Sequence, residues 1–169
     1  MFYTFTSRKE IKEKISNIKK SPEYKKWINN NKEAYLSSVF CLSQEEDNWQ
    51  VDFYDPKTKL ITNFFLQNNI ILENTDKVFS KTQEKINELN IDGVKVDLDK
   101  IMNLVDSLVK DKYKNETAYK KIVILQNLTE ILWNITIIMS SFNLLNVKIS
   151  AKDGKILEEH LSSVFNFTS

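Results

Sequence analysis

The residues able to do chemistry in this chain are few, and His160, its only histidine, is the first to consider. Glu158 stands two positions before it, and residues two apart share a face of a β-strand. An imidazole beside a carboxylate is a pair used in general acid–base catalysis. No serine or threonine lies in the context of a nucleophile elbow, and nothing in the sequence brings Cys41, the single thiol, to His160. We therefore favour a solvated strand edge for Glu158 and His160 over a catalytic pair.

Composition excludes several classes of cofactor site. The chain has two glycines, Gly93 and Gly154, whereas a loop that cradles phosphate or a dinucleotide needs several. One histidine and one cysteine exclude a conventional zinc site. Asp97 and Asp99 flank a predicted helix start, where we favour capping over cation binding. We predict no cofactor and no metal.

Charge argues against a nucleic-acid partner. The chain has 24 basic and 23 acidic residues and a net charge of +1, which gives no general field to attract nucleic acid. A lysine-rich stretch, Lys110 to Lys121, contains Tyr113 and Tyr119 and could contact RNA through phosphates and stacking. Arg8 is the only arginine, so we favour a solvated helix end and loop for this stretch. We predict no binding of nucleic acid.

The sequence also bears on localisation. No apolar run approaches the roughly 20 residues that span a bilayer. The N-terminus places aromatic residues before charges, the reverse of the order in a signal peptide. We expect no integral membrane segment and a soluble protein, cytoplasmic as written, or extracytoplasmic if a leader peptide has been removed.

The first half of the chain predicts helices followed by strands. Ser7 and Glu10 form a capping box that begins a helix over about residues 8–19, and Ser21-Pro22 begins a second. One apolar stretch and two stretches of alternating apolar residues then predict three strands, and a short apolar run predicts an edge strand. These are Tyr35–Leu42, Trp49–Tyr54, Leu60–Leu66 and Ile70–Leu72.

The second half repeats this order. Thr75-Asp76 predicts the start of a third helix that ends near Asp92-Gly93, with a sparse apolar face of Val78, Phe79, Ile86 and Leu89. Asp97 predicts a fourth helix, which has the clearest apolar stripe in the chain. The strands that follow are Ile122–Leu125, Trp133–Met139, Leu145–Ala151 and a final strand from Ile156 to Phe165, which we favour over a helix.

The stretch Trp133–Leu157 carries a resemblance to a known family. Its second strand and turn, NVKISAKDGKIL, resemble the closing signature of PepSY domains, in which an aromatic-led strand precedes an alternating strand and a Gly-containing turn. Ser150 stands where that family usually has Asp, and Asp153 where it usually has Thr. The resemblance implies a helix-and-sheet domain that binds a peptide or a peptidase, with inhibition of the peptidase as one outcome.

An internal similarity suggests two such units. A shift of about 96 residues places Val51–Ile61 over Val147–Leu157, with coincident apolar positions and turns. We therefore predict an α+β fold in which helices pack on antiparallel meander sheets, as two PepSY-like units. The predicted boundaries are an N-terminal unit over residues 1–74, a bridging helix over 75–92 and a C-terminal unit over 93–169.

We predict a non-enzymatic binding or regulatory module that contacts a peptide, a protein partner or a second copy of itself. An exposed strand edge could pair with an extended peptide. The candidate edges are the final strand and the strand that contains Leu60, Thr62, Phe64 and Leu66. Two alternatives stay open. One is a small enzyme or ligand-binding protein with a sheet-lined pocket, in which Asp52, Tyr54 or His160 would act, and the other is a self-associating structural protein.

Overall fold

A computed structural model describes residues 7–42, 49–67, 70–77 and 85–164, with side chains described except at 42, 66, 67 and 70–77. The helices and strands follow one another in the order helix, helix, four strands, helix, four strands. They are α1 (Arg8–Lys20), α2 (Pro22–Asn30), β1 (Tyr35–Leu42), β2 (Trp49–Asp55), β3 (Leu60–Gln67), β4 (Ile70–Lys77), α3 (Leu98–Lys112), β5 (Ala118–Asn127), β6 (Ile131–Met139), β7 (Asn143–Ser150) and β8 (Ile156–Ser163), with a short 3₁₀ turn at Ile91–Gly93 before α3.

Local side chains begin the first two helices, as the sequence predicts. The amide of Ser7 donates to Glu10 Oε2 at 2.6 Å, and the amide of Glu10 donates back to Ser7 Oγ at 3.3 Å. Ser21 ends α1 and begins α2, because its hydroxyl accepts from the amide of Tyr24 at 3.2 Å. Pro22 then occupies the first turn of α2, where its missing amide proton costs nothing.

The described strands form one antiparallel sheet of eight, in the order β4-β3-β2-β1-β5-β6-β7-β8. Each half of the chain supplies a four-stranded meander, and the two meanders join where β1 pairs with β5, from Ser38 opposite Gln126 to Leu42 opposite Ile122. The predicted α+β class with an antiparallel sheet is therefore confirmed. None of the helices in the described part of the chain is long and apolar enough to cross a bilayer.

One face of the sheet carries the core. A row of directly opposed, buried side chains crosses six strands and both halves: Phe64, Val51, Val39, Leu125, Trp133 and Ile149. The three helices of the described residues cover this face. The ring of Tyr24 in α2 lies 5.5 Å from that of Phe64, and Asp106 in α3 binds Lys121, which shares the face of Trp133.

The segment before α3 ties the two halves together. Asp97 precedes α3, but its side chain makes no capping bond there. Instead, Asp97 Oδ1 accepts from the amide of Arg8 at 2.9 Å, which satisfies one of the unpaired amides at the start of α1. The guanidinium of Arg8 donates to the carbonyl of Val94 at 3.1 Å, and Lys12 binds Asp92.

The predicted bridging helix over 75–92 is wrong wherever the structure describes it. Thr75 and Asp76 belong to β4, residues 85–90 are irregular and Ile91–Gly93 is a 3₁₀ turn. Residues 78–84, with Val78 and Phe79, lie outside the described residues. The physical reason is visible in the bonds made by residues 85–90, because the amide of Leu89 donates to the carbonyl of Leu36 at 2.8 Å instead of to a helical turn.

The shift of about 96 residues also aligns strands that are not equivalent in the sheet. It places β2 over β7 and β3 over β8. Outward from the β1–β5 junction, however, β2 corresponds to β6 and β3 to β7. The starts of corresponding strands are separated by about 83 residues. The coincident apolar positions therefore reflect two hairpins with similar patterns and not matching places in the fold.

Candidate functional site

The predicted peptide-binding edge at Leu60, Thr62, Phe64 and Leu66 is wrong, because these residues belong to β3. This strand pairs with β2 on one side and β4 on the other, so it has no free edge. Thr62 and Phe64 are buried on the covered face, and the side chain of Leu66 lies outside those described. The predicted short edge strand at Ile70–Leu72 does lie at the margin of the described sheet, but the strand formed there, β4, is eight residues long.

The other predicted edge, the final strand, does lie at the margin of the sheet. β8 pairs with β7 from Asn143 opposite Ser163 to Ile149 opposite Ile156, and no described strand flanks its outer side. The amide of Val164 donates to the carbonyl of Phe142 at 3.1 Å. Because antiparallel pairs alternate between bonded and non-bonded positions, the backbone groups of Glu159 and Leu161 point outward.

Exposed apolar side chains concentrate at this edge. Of the eight large hydrophobic residues that are exposed in the described ranges, four lie on β8 or directly after it, and a fifth, Phe142, lies in the β6–β7 turn, where its carbonyl accepts from the amide of Val164. We call this set the apolar edge: Phe142, Ile156, Leu157, Leu161 and Val164. Phe142 is 61% exposed and has a φ of 62°, a left-handed conformation that is costly for a bulky side chain. Strained residues of this kind are concentrated at functional sites.

The acidic residues of β8 are already paired with lysines. Glu158 accepts from Lys148 Nζ at 2.7 Å, and this bond lowers the pKa of Glu158. Glu159 accepts from Lys112 Nζ at 2.7 Å and from the hydroxyl of Tyr113, and these bonds lower the pKa of Glu159. Burial and the nearby Glu159 raise the pKa of Tyr113 to about 12. A partner strand would therefore meet apolar side chains and little unpaired charge.

A second candidate site is a cleft of about 530 Å³ in the first half of the molecule. One wall is the flank of α1 and the other is the segment 88–91, while Leu36 and Phe53 form the floor. The volume lies in the range of small-ligand pockets. The lining residues are Lys12, Ile15, Lys19, Tyr24, Ala34, Tyr35, Leu36, Phe53, Glu88, Leu89, Asn90 and Ile91.

Two polar side chains of the cleft, Lys12 and Tyr35, are bonded within the protein. Lys12 is bound to Asp92, and the hydroxyl of Tyr35 donates to the carbonyl of Ile86 at 2.8 Å. Burial is the main cause of the raised pKa of Tyr35, with contributions from the nearby Tyr54 and Glu88. Burial also raises the pKa of Tyr24, so this hydroxyl stays protonated at neutral pH.

The acid, base and thiol candidates do not converge. Asp52 is 8% exposed and accepts from Ser38 Oγ at 2.6 Å, Gln50 Nε2 at 2.7 Å and Asn63 Nδ2 at 2.7 Å. These three donors occupy its carboxylate, and neither Asp52 nor Tyr54 lines the cleft. The structure thus gives Asp52 a role in holding three strands together on the uncovered face.

Cys41 and His160 lie far apart. Cys41 is in β1 on the covered face, whereas His160 is in β8 on the opposite face, with three strands between them. At about 4.8 Å per strand, their strands are roughly 19 Å apart. Burial raises the pKa of Cys41 to about 12, against a small lowering effect of Lys14, so the thiol is protonated at neutral pH.

The remaining charged stretches are partly paired within the fold or lie outside the described residues. In the lysine-rich stretch, Lys112 binds Glu159 and the buried Lys121 binds Asp106. The acidic residues 45–47 lie outside the described ranges. Within those ranges, no group of three or more His, Cys, Asp or Glu side chains is placed to hold a metal ion.

Sequence reasoning missed two features of these sites. The cleft is not predictable from the sequence pattern, because the helix predicted up to Asp92-Gly93 includes its outer wall, residues 88–91, although Asn90 and Asp92-Gly93 are residues typical of turns. Asn87 holds this wall in place, since its amide donates to the carbonyl of Leu128 at 2.7 Å. The conformation of Phe142 could not be predicted, because nothing in the sequence shows that a phenylalanine adopts a positive φ.

Comparisons with known proteins give information on the fold. No protein-family model matches the chain, and no curated protein does. Among solved structures, the chain is similar to the crystal structure of a putative lipoprotein from Clostridium difficile 630, with a TM-score of 0.54 over 96% of each chain. The two sequences are 13% identical, so the similarity shows the fold alone.

Proposed function

We propose that this protein is a non-enzymatic binding module that takes an extended peptide segment of another protein onto β8. The observation that carries the proposal is the apolar edge, where exposed hydrophobic side chains coincide with outward-pointing backbone groups. Backbone bonds supply affinity in this mode of recognition, and alternate side chains supply selectivity.

The chemistry of β8 defines the expected peptide. Glu158 and Glu159 are neutralised by lysines, so the partner needs no matching positive charge. Leu161 lies on the helix-covered side of the sheet, opposite Leu145. Leu104 is exposed on the flank of α3 that also carries Lys112. We infer that the peptide places an apolar residue at every second position, toward this flank.

The resemblance of Trp133–Leu157 to PepSY domains supports the same function, because that resemblance implies recognition of a peptide or peptidase. The stretch ends in β8, the strand that we assign to binding. The resemblance and the free edge are independent reasons for one proposal.

A selection from a random peptide library displayed on phage tests the proposal. Bait proteins are the wild-type chain, Leu161→Lys and a matched control, Leu128→Lys, whose side chain is 40% exposed against 44% for Leu161 but lies at the β5–β6 turn. We expect peptides with alternating apolar residues to bind wild type and the control equally. Binding to Leu161→Lys should be at least tenfold weaker, a loss of about 1.4 kcal/mol.

Hydrogen exchange gives a backbone readout of the same binding. The amides of Glu159 and Leu161 should gain protection when a selected peptide is added, because they point away from β7. Peptides that bind Leu161→Lys as well as wild type would refute the proposal. A wild-type dimer in sedimentation velocity that Leu161→Lys abolishes would also refute it, since the occupant of β8 would then be a second copy of the chain.

A further inference from the structure

The β6–β7 turn places a phenylalanine at a position that usually holds glycine. Three residues, 140–142, join Met139 to Asn143, and the amide of Phe142 donates to the carbonyl of Met139 at 3.0 Å. Hairpin loops of this length take a left-handed residue at their last position, which is usually glycine. Phe142 has a φ of 62° there, and its side chain is 61% exposed. Burial of the ring therefore offsets little of the backbone strain.

A carboxylate from another part of the chain holds this turn. Glu116, in the connection between α3 and β5, accepts from the amide of Ser141 at 3.3 Å and from the hydroxyl of the same residue. It also accepts from Ser140 Oγ at 3.3 Å and from Asn143 Nδ2 at 3.4 Å. The bond from the Ser141 hydroxyl is the main cause of the lowered pKa of Glu116, so the carboxylate is charged at neutral pH. Because hydrogen bonds to a charged acceptor are stronger than neutral ones, Glu116 stabilises the strained turn.

The segment that carries Glu116 is also bonded to β8. The amide of Glu116 donates to the carbonyl of Tyr113 at 2.9 Å, and the hydroxyl of Tyr113 donates to the carboxylate of Glu159 in β8. From the turn, the carbonyl of Phe142 accepts from the amide of Val164 at the end of β8. The connection after α3 thus holds the turn and the edge strand in a fixed relation.

We propose that Glu116 is a positioning residue for the apolar edge. It holds Phe142 in the left-handed conformation that keeps the ring exposed at the end of β8, where the ring contacts a bound peptide. A glycine would form the same turn without strain, so a phenylalanine supported by these bonds fits a role in binding. This inference rests on the function proposed for β8 and adds to it a residue outside that strand.

The conformation of Phe142 in the free protein tests the first half of the inference. The nuclear Overhauser effect between its own amide and Hα protons is strong at a positive φ, because the two protons are then close. Glu116→Ala should weaken this signal, and Glu116→Gln should weaken it less, since an amide keeps one acceptor oxygen. Glu130→Ala is the matched control, because Glu130 is an exposed glutamate in the β5–β6 turn. An unchanged signal in Glu116→Ala would overturn the inference.

Peptide binding tests the second half. Peptides selected on the wild-type chain should bind Glu116→Ala about fivefold more weakly, because Phe142 then adopts its binding conformation for only part of the time. The affinity of Glu116→Gln should lie between the two, and that of Glu130→Ala should match wild type. The amides of His160 and Ser162, which face β7, should stay protected from hydrogen exchange in every variant, which would show that β8 remains paired.

A double-mutant cycle with Phe142→Gly separates positioning from a general structural role. Glycine adopts the left-handed conformation without strain, so Glu116→Ala should weaken peptide binding no further in the Phe142→Gly background. An equal loss in both backgrounds would overturn the inference, because Glu116 would then act on binding by another route. Wild-type affinity of Glu116→Ala beside weak binding by Leu161→Lys would also overturn it, and would leave the function of β8 in place. If Leu161→Lys binds as wild type does, the proposed function fails and this inference fails with it.

Discussion

The two halves of the sheet bury their covered face with different kinds of side chain. In the first half, four aromatic rings form one cluster: Tyr24, Trp27, Phe53 and Phe64, with centroids 5.0 to 5.8 Å apart. In the second half, the equivalent layer is mainly aliphatic, with Ile135, Ile137, Leu145 and Val147 fully buried under α3. The same order of helices and meander is thus compatible with two unlike cores.

This difference goes with a difference in what each half leaves open. The aromatic half is covered by two short helices, α1 and α2, and a cleft opens beside α1 over Phe53. The aliphatic half is covered by one helix of 15 residues, and its open surface is the strand β8 instead. The open surfaces of this fold therefore depend on how each half is filled, and not on strand order alone.

The largest expected effects on stability come from cavity-forming substitutions in the two cores. They test whether the two cores unfold as one cooperative unit. Phe64→Ala in the first half should lower the free energy of unfolding by about 4 kcal/mol, and Leu145→Ala in the second by about 3 kcal/mol, because both leave cavities. The buried row through the β1–β5 junction joins the two cores, so we expect a single urea transition for each variant.

Circular dichroism and tryptophan fluorescence, recorded on the same samples, provide the measurement. Phe64→Leu is the control, since it keeps most of the volume and should cost less than half as much. Two separate transitions in either variant would contradict this expectation, because each half would then fold alone.

Much of this fold is predictable from local patterns. Ser7, Glu10, Ser21 and Pro22 determine the starts of the first two helices through bonds within three residues. Strands β2, β3, β6 and β7 follow from alternation, since every second side chain lies on the covered face. Such features depend on near neighbours or on a periodic pattern, and both can be read from one sequence.

Sheet order and the candidate sites depend on distant contacts that the sequence does not reveal. The apolar pattern of β3 is the same whether or not β4 lies beside it, so the pattern could not show that Leu60 to Leu66 is internal. Residues 85–90 have helix-compatible spacing, yet bonds to Leu36, Asn127 and Leu128 keep them irregular. Those bonds hold the segment that forms one wall of the cleft.

Substitutions in two turns should change the free energy of unfolding by a smaller amount. The β7–β8 turn places Gly154 at a φ of 77°, where an alanine is strained, so Gly154→Ala should lower the free energy of unfolding by about 1 kcal/mol. The β6–β7 turn places Phe142 at a φ of 62° with its ring exposed, so Phe142→Gly should raise it by about 0.5 kcal/mol.

Urea unfolding measures both changes, and the selected peptides show what Phe142 does. If its strain is retained for binding at the apolar edge, Phe142→Gly should be more stable and yet bind the peptides more weakly. Equal or tighter peptide binding by Phe142→Gly would remove this residue from the binding surface while leaving the role of Leu161 to be judged separately.

The smallest expected effects come from removing one tyrosine hydroxyl in each half. The hydroxyl of Tyr113 is bonded to Glu159, so Tyr113→Phe should lower the free energy of unfolding at pH 7 by about 1 kcal/mol. The hydroxyl of Tyr24 has no described partner, so Tyr24→Phe should change it by less than about 0.5 kcal/mol. Urea unfolding at pH 7 measures this contrast.

The pH dependence of that contrast follows from the raised pKa of Tyr113. Its folded pKa of about 12 lies above the ordinary value of 10.0, so its contribution is complete below about pH 10 and is lost as the pH rises toward 12. The lowered pKa of Glu159 acts at the other end, because its contribution is present above the ordinary value of 4.5 and is lost as the pH falls below it. The deficit of Tyr113→Phe should therefore be constant from about pH 5 to 10 and shrink at higher pH. A deficit that stays constant to pH 11.5 would show that the bond to Glu159 does not hold α3 against β8.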